Sequence, residues 1–450
     1  MKLPDNPKYK YSGFEWLGDV PEQWNIASMR WVSRRFSGGT PDRSDDTYWE
    51  DGHIPWINSG AVNQGLITEP SAYITDAGYS GSSAKWVPKG GLVMALAGQG
   101  KTKGMVAQLG IDTTCNQSMA AIIPDKRIAP RFLYWWLSAQ YDAIRNLAGG
   151  EQRDGLNLDI LGTLPVALFS TDEQTIIADY LDRQTTQIDY LIAKKRELIG
   201  KLKEKRIAII SGTVTRGLPP VIARTFGIEL NAKYKPSGID WLGDVPGQWA
   251  VPPLYIRYRV ELGKMLNESR ITGTYLVPYL RNVDVQWSSI NYTDLPEMDI
   301  PESEYTRYTI RKNDLLVCEG GEVGRAAIVG QVSGVVGYQK ALHRLRRISS
   351  DEVPRFMFYV LYWAANAGIF SAGGSSTIAH LTGEQLRRYR FPKPPKREQL
   401  AIVNYLDGEV AKIDTLTERM QNAIERLQEY RTALIATTVT GKIDVRREAA

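Results

Sequence analysis

The sequence predicts a mixed α+β fold: two pseudo-symmetric α/β domains separated by a pair of long antiparallel coiled-coil helices. Three observations carry this. Tyr9–Trp24 (YKYSGFEWLGDVPEQW) recurs 225 residues later as Tyr234–Trp249 (YKPSGIDWLGDVPGQW), with twelve of sixteen positions identical. At the same offset, Glu173-Gln174 through Tyr180-Leu181-Asp182 recurs as Glu398-Gln399 through Tyr405-Leu406-Asp407, and Thr213-Val214-Thr215 recurs as Thr438-Val439-Thr440. Between these patterns lie heptad-spaced apolar residues, a helical period, whereas the residues upstream form short β-rich runs with glycine turns.

Bulk properties narrow the class. At 450 residues the chain is long enough for three or more structural units with their own cores. It is 43% hydrophobic and 23% charged, ordinary for a globular protein. No apolar run approaches the ~20 residues that cross a bilayer, and MKLPDNPKYK lacks the apolar centre of a signal peptide. A cytoplasmic protein without membrane association is expected. Two cysteines, Cys115 and Cys318, make no disulfide framework, and three histidines (His53, His343, His380) offer little to a metal, so no metal site is expected. The net charge of +5 is mild, but residues 194–206 alone hold seven Lys/Arg against two Glu.

Each repeat has the same order of elements. The tryptophan-bearing segment reads as an extended strap, with Trp16, Leu17, Trp241 and Leu242 expected to secure it. A mixed region follows, with strands expected at Gly91–Ala97 and Asp314–Cys318. A helix is expected over Arg131–Ala148 and over Pro354–Ala367, each followed by a glycine pair (Gly149-Gly150; Gly373-Gly374). A proline turn (Pro165; Pro392, Pro394, Pro395) then leads into the long helix. Thr171-Asp172-Glu173 supplies a cap and early acids for its start, and Gly212 suits its end. In the second copy Ile413, Leu416, Met420, Ala423, Leu427, Tyr430 and Leu434 form a 3-4 seam. The first has Ile188, Leu191, Lys195, Leu198, Leu202, Lys205 and Ile209 at the matching places. The expected divisions are residues 1–169 (first mixed domain), 170–217 (central helix), 218–394 (linker and second mixed domain) and 395–450 (distal helix).

This ordered pattern resembles the specificity subunit of type I restriction–modification enzymes over nearly the whole chain. The residues that carry the likeness are Gly38-Gly39-Thr40-Pro41, Tyr48-Trp49 and Ile54-Pro55-Trp56-Ile57. Downstream it rests on Leu164-Pro165 before Glu173-Gln174 and Ile177, and on Phe391-Pro392 before Glu398-Gln399 and Ile402. Gly217 and Gly441 close the Thr-Val-Thr ends. The second copy departs from the first: it lacks Gly-Gly-Thr-Pro, and Val277-Pro278-Tyr279-Leu280 replaces Ile54–Ile57. The resemblance implies two target-recognition domains, each reading one half of a bipartite, asymmetric site in double-stranded DNA, with the helices setting the gap. It also implies a subunit without catalysis and without a cofactor of its own. Two methyltransferase subunits would bring S-adenosylmethionine, and two motor-nuclease subunits ATP and Mg2+.

Base reading needs polar side chains on loops held by a rigid scaffold. The candidate DNA-facing residues in the first copy are Asn58, Ser59, Gln99, Lys101, Thr102, Lys103, Asn116 and Gln117. In the second they are Arg281, Asn282, Glu322, Arg325, Gln339 and Lys340. Lys201, Lys203 and Arg206 on the central helix are candidates for phosphate contact, against the plainer reading of a solvated helix face. Ala95–Thr102 (ALAGQGKT) loosely fits a phosphate loop, but Met105-Val106-Ala107 reads as a returning strand rather than the helix such a loop requires. No Asn/Asp-Pro-Pro-Tyr/Phe loop for adenine methylation is present. The rival reading is a coiled-coil scaffold or adaptor whose mixed domains bind proteins rather than DNA.

Overall fold

Uninterrupted apolar runs become the central strands of two sheets. Leu92–Ala95 and Leu315–Cys318 are buried at every position, as expected of strands covered on both faces. The computed structural model describes residues 8–98, 100–147, 155–229, 233–265, 272–370 and 380–445. Gln99 and the two glycine pairs lie outside the described residues. The chain divides into two compact units, Met1–Lys195 with Gln421–Ala450, and Arg196–Met420. Each unit therefore takes part of both long helices.

The first unit runs β1 (Tyr9–Tyr11), β2 (Asp19–Pro21), β3 (Asn25–Ser28), β4 (Ser33–Ser37), β5 (Ile54–Ile57), β6 (Leu66–Ile67), β7 (Ala72–Ile74), α1 (Asp76–Ser80), β8 (Leu92–Ala95), β9 (Val106–Leu109), β10 (Thr114–Cys115) and β11 (Met119–Pro124). Then come α2 (Pro130–Ala139), α3 (Tyr141–Asn146), α4 (Leu158–Thr163), β12 (Pro165–Leu168) and α5 (Thr171–Arg216). A five-stranded sheet has the order β4-β11-β8-β9-β6, and a three-stranded one β10-β5-β7. The expected helix over 131–148 is two helices that meet at Gln140, whose side-chain amide donates to Trp136 O.

The second unit repeats this plan. It contains α6 (Pro220–Thr225), β13 (Tyr234–Pro236), β14 (Asp244–Pro246), α7 (Leu254–Arg257), β15 (Tyr258–Leu262), β16 (Leu276–Leu280), β17 (Val285–Gln286), β18 (Ser289–Ile290), β19 (Glu297–Asp299) and α8 (Tyr305–Tyr308). After these follow β20 (Leu315–Cys318), β21 (Ala326–Ile328), β22 (Gly337–Tyr338), β23 (Leu342–Arg347), α9 (Pro354–Asn366), α10 (Gly383–Arg388) and α11 (Lys396–Val439). Its sheets, β15-β23-β20-β21 and β19-β16-β22, match those of the first unit strand for strand, apart from edge strand β6, which has no counterpart among the described residues. β5 pairs parallel with β10 and antiparallel with β7, just as β16 pairs with β22 and β19.

The Glu-Gln motif at each helix start has a physical reason. Gln174 is buried; its amide donates to Arg127 O and Phe169 O and its oxygen accepts from Ala129 N–H. Gln399 repeats this with Asp351 O, Pro394 O and Val353 N–H. Three backbone groups that would otherwise be orphaned are satisfied each time. About two turns later in each helix, Asp182 accepts from Arg131 and Trp135, and Asp407 from Arg355 and Tyr359.

The straps are hairpins, not extended segments: β1 pairs with β2 and β13 with β14. Trp24 is buried and stacks on Phe169 at 3.9 Å; Trp249 is buried in the second unit. Leu17 and Leu242 are buried as expected, whereas Trp16 and Trp241 stay 44% and 38% exposed. Each strap also reaches a long-helix end. Tyr9 Oη donates to Gly441 O, and Tyr234 Oη to Arg216 O.

Helix α5 has 46 residues and α11 has 44, so each is a rod of nearly 70 Å. Gly212 lies inside α5; the chain leaves the helix at Gly217, with φ +87°. Within the first unit the two helix segments are antiparallel: Asp189 pairs with Arg431, while the earlier Tyr180 and Gln184 share a cleft with the later Leu434 and Thr437. Within the second unit Arg206 pairs with Asp414, while Gly217 lies beside Glu398. The seam differs in phase from the expected one. Leu191, Leu198, Leu416 and Tyr430 are 47%, 44%, 42% and 54% exposed. Ile192, Ile199, Thr417, Ile424 and Arg431 point inward in their place, with Ile188, Leu202, Ile413, Met420, Leu427 and Leu434 as expected. Leu191-Ile192 and Leu198-Ile199 are adjacent apolar pairs, so both phases of a heptad fit the sequence.

Candidate nucleic-acid interface

In each unit three loops leave the C-terminal ends of three strands and are tied to one another through the backbone. In the first, Asn116 N–H donates to Ile57 O at 3.0 Å and Leu96 N–H to Ser118 O at 2.8 Å, which joins the loops after β10, β5 and β8. In the second, Gln339 N–H donates to Leu280 O at 3.0 Å and Glu319 N–H to Ala341 O at 3.0 Å, which joins the loops after β22, β16 and β20. A glycine fixes each set from below. A Cβ on Gly38 would lie 1.8 Å from Cys115 O, and one on Gly263 would lie 2.2 Å from Gln339 O. Gly263 stands 225 residues after Gly38, so the second copy keeps the glycine of Gly-Gly-Thr-Pro that packs against this loop.

The candidate residues divide by what holds them. In the first unit Asn58 caps the short 3-10 turn Ser59–Gln64 by accepting from Gly60 N–H, so Asn58 shapes the loop and Ser59 begins the turn. Lys101 is exposed and Thr102 half-buried, whereas Lys103 is buried. Gln117 is exposed and accepts from Thr40 Oγ1; Asn116 is half-buried with a buried Oδ1 that has no partner among the described residues.

In the second unit Arg281 grips Asp284 by two bonds of 2.9 Å. Burial pushes the Asp284 carboxyl up, but the Arg281 side chain and N–H outweigh it and hold the group below the usual carboxylate range. Asn282 donates to Gly320 O and accepts from Arg325 Nη2 at 2.8 Å, and Arg325 also donates to Asn282 O. These two residues bind the loops together rather than facing outward. Glu322 is half-exposed and accepts from Trp287 Nε1 at 2.5 Å. Gln339 is half-buried and Lys340 exposed. The exposed members are therefore Lys101 and Gln117 in one unit and Glu322 and Lys340 in the other, with Ser59 and Arg281 half-buried in the same loop clusters.

Sequence reasoning missed Tyr141, Arg145 and Trp287, which hold the loops from behind. Tyr141 and Arg145 sit one turn apart on α3, a spacing visible in the sequence, but nothing there says what they touch. On the central helix, Arg206 is tied to Asp414 and Lys201 to Glu197, and Lys203 is exposed. Burial pushes the Cys115 thiol up to about 12 and raises Cys318 as well, so neither is a reactive thiolate. The run Ala95–Thr102 leads into strand β9, as expected, and not into a phosphate-binding helix. Among the described residues no group of His, Cys, Asp and Glu could hold a metal ion, and no helix is long and apolar enough to cross a membrane.

Comparison with known proteins agrees with this twofold plan. The family model for the type I restriction modification DNA specificity domain matches residues 21–199 and again 260–426. The chain is 22% identical over 438 residues to the type I restriction enzyme EcoKI specificity subunit of Escherichia coli strain K12, covering 95% of this chain and 90% of that protein. It is 20% identical over 443 residues to the StySPI specificity subunit of Salmonella potsdam, again covering 95% and 90%. Its fold is similar to a chain solved in work on complex assembly and conformational transition of the type I R-M system, with TM-score 0.72 and 15% identity over 94% of this chain and 99% of that one. The HsdS subunit of Thermoanaerobacter tengcongensis gives TM-score 0.56 at 15% identity, over 94% and 98%. With both repeats matched over most of their length, the chain belongs to the family of type I restriction–modification DNA specificity subunits.

Proposed function

We propose that this chain reads a bipartite, asymmetric site in double-stranded DNA, one half through each unit's loop cluster. The observation that supports this best is a shared frame with unlike side chains. Equivalent strands, equivalent backbone ties and an equivalent glycine present Ser59, Lys101 and Gln117 in one copy and Arg281, Glu322 and Lys340 in the other. Lysine and arginine suit guanine edges, glutamine suits adenine, and glutamate accepts from cytosine N4. Phosphate contacts, with Lys201 and Lys203 as candidates, add affinity without sequence information.

In this reading the long helices set the number of base pairs between the half-sites. The chain carries no catalysis and no cofactor. It recruits two methyltransferase subunits that bring S-adenosylmethionine and, in the complete cytoplasmic enzyme, two motor-nuclease subunits that bring ATP and Mg2+. Selection from random duplex DNA, with the chain and its methyltransferase partner assembled, tests the proposal. Enrichment of two short blocks at one fixed separation is expected. Recovery of unenriched DNA from an intact complex would favour a protein-binding scaffold instead.

A further inference from the structure

The loop after β8 in the first unit is gripped from one side by α3. Arg145 Nη2 donates to Gly100 O at 2.5 Å and its Nη1 to Lys103 O at 3.4 Å. Tyr141 Oη donates to Lys101 O at 2.5 Å and accepts from Arg145 Nη1 at 3.0 Å. Three carbonyls within four residues are thus turned toward one helix, while the Lys101 side chain remains exposed. The loop closes at Gly104, whose φ is +83° and where an added Cβ would lie 3.6 Å from the Arg145 backbone of the same helix. Glycine-rich loops do not hold one shape unaided, because their backbone is the least restricted. Here one guanidinium and one phenol add to two backbone bonds at the end of the loop, Gly104 N–H to Ala95 O and Met105 N–H to Thr102 O.

The second unit uses a different device at the matching place. Gly324, with φ +82°, packs on the Phe370 ring, and the loop is fastened by Arg325 to Asn282. Among the described residues no arginine on a flanking helix does this work there.

We infer that Arg145, together with Tyr141, is a positioning residue for base reading by the first unit: it sets which base pair that loop prefers without itself touching DNA. This rests on the proposal that the loop faces DNA. A charge-assisted bond to a carbonyl is stronger than a neutral one, so loss of the guanidinium releases the loop while the sheet beneath keeps its own hydrogen bonds. The first unit then binds the same DNA with less selectivity.

The test uses the full chain assembled with its methyltransferase partner. Methylation rates are measured on duplexes carrying the selected site and on duplexes with single base-pair changes in either block. Lys101→Ala, which alters the loop's exposed side chain, identifies the block that the first unit reads. Arg145→Ala should lower discrimination in that block by about ten- to a hundredfold and leave the other block unchanged. Arg145→Lys should restore part of it. Tyr141→Phe removes one hydroxyl and should act in the same direction more weakly, and it decides the matter should Arg145→Ala fail to fold. Unchanged discrimination in both Arg145→Ala and Tyr141→Phe, with Lys101→Ala still effective, would overturn the clamp and leave the reading loop standing. An equal loss in both blocks would also overturn it, as the mark of a general structural role. A silent Lys101→Ala would remove the DNA-facing loop and the clamp's purpose with it.

Discussion

Arg431 on α11 is bonded to Asp189 on α5, Nε to Oδ1 at 3.0 Å and Nη2 to Oδ2 at 3.3 Å. Its counterpart in the other unit is Arg206 with Asp414 at 2.6 Å. The residues of one pair are those of the other displaced by the sequence repeat of 225, with the roles of the two helices exchanged. The same ion pair thus fixes antiparallel register in each unit.

Register, not stability, is what this pair contributes. Asp189 and Arg431 are 55% and 33% exposed, so solvent screens them and the pair is worth about 0.5 kcal/mol. A double-mutant cycle on Asp189→Ala and Arg431→Ala should give a coupling of that size by thermal or denaturant unfolding. Arg431→Asp alone should cost more than Arg431→Ala, and adding Asp189→Arg should recover most of the loss. Absence of recovery would deny the pair its role.

Gly38 and Gly263 should tolerate no side chain. The methyl group of alanine would sit inside the contact radius of Cys115 O or Gln339 O, and both are backbone atoms. Gly38→Ala and Gly263→Ala should each cost about 3 kcal/mol, read as a drop in Tm. Gly200 lies in the exposed middle of α5 with nothing within 4 Å of an added Cβ. Gly200→Ala should stabilise by about 1 kcal/mol.

His343 makes the second unit sensitive to acid. It is buried, and its Nε2 lies 2.7 Å from Leu381 O, so Nε2 carries the proton. Nδ1 has no partner among the described residues. Burial holds the imidazole below its ordinary value; Leu381 O and Glu319 oppose this, and Arg387 and His380 reinforce it. The unfolded chain takes up a proton near pH ~6.5 while the folded site resists it. This contribution to stability is therefore present above that pH and is lost as the pH falls below it, at up to about 1.4 kcal/mol per pH unit. Tm measured from about pH 7 to pH 5 should fall, and His343→Gln should flatten the slope while lowering the neutral-pH value. An unflattened slope would place the titration elsewhere.

Seven residues inserted after both Lys195 and Met420 preserve the heptad phase and lengthen each helix by about 10 Å. At ~3.4 Å per base pair, the recognised gap should widen by about three base pairs with both half-sites unchanged. Insertion in one helix alone misaligns Asp189 with Arg431 or Arg206 with Asp414 and should abolish selective methylation. A double insertion that keeps the original gap would show that the helices do not set it.

The repeat was the most legible feature of the sequence, because strap, Glu-Gln turn and long helix all carry side chains fixed in place: Trp24 and Trp249, Gln174 and Gln399 by burial, Asp182 and Asp407 by their bonds to Arg131 and Arg355. The seam phase was not legible, since Leu191-Ile192 and Leu198-Ile199 satisfy either phase and the choice rests on Arg206 and Arg431 facing across the helix pair. The loops were legible as places but not as side chains. Asn282 and Arg325 read as exposed polar residues, yet they bond each other across 43 positions of sequence. Gly263 was hidden because the Thr-Pro that marks Gly38 in the first copy is absent from the second.

The most direct measurement is base-resolution mapping of methylated bases in genomic DNA, in cells that express the methyltransferase partner with and without this chain. A single split motif, with two short blocks at one fixed gap, should appear with the chain and vanish without it. An unchanged methylation map, with the partner expressed and active, would contradict a DNA-reading role and leave the twofold frame to bind proteins instead.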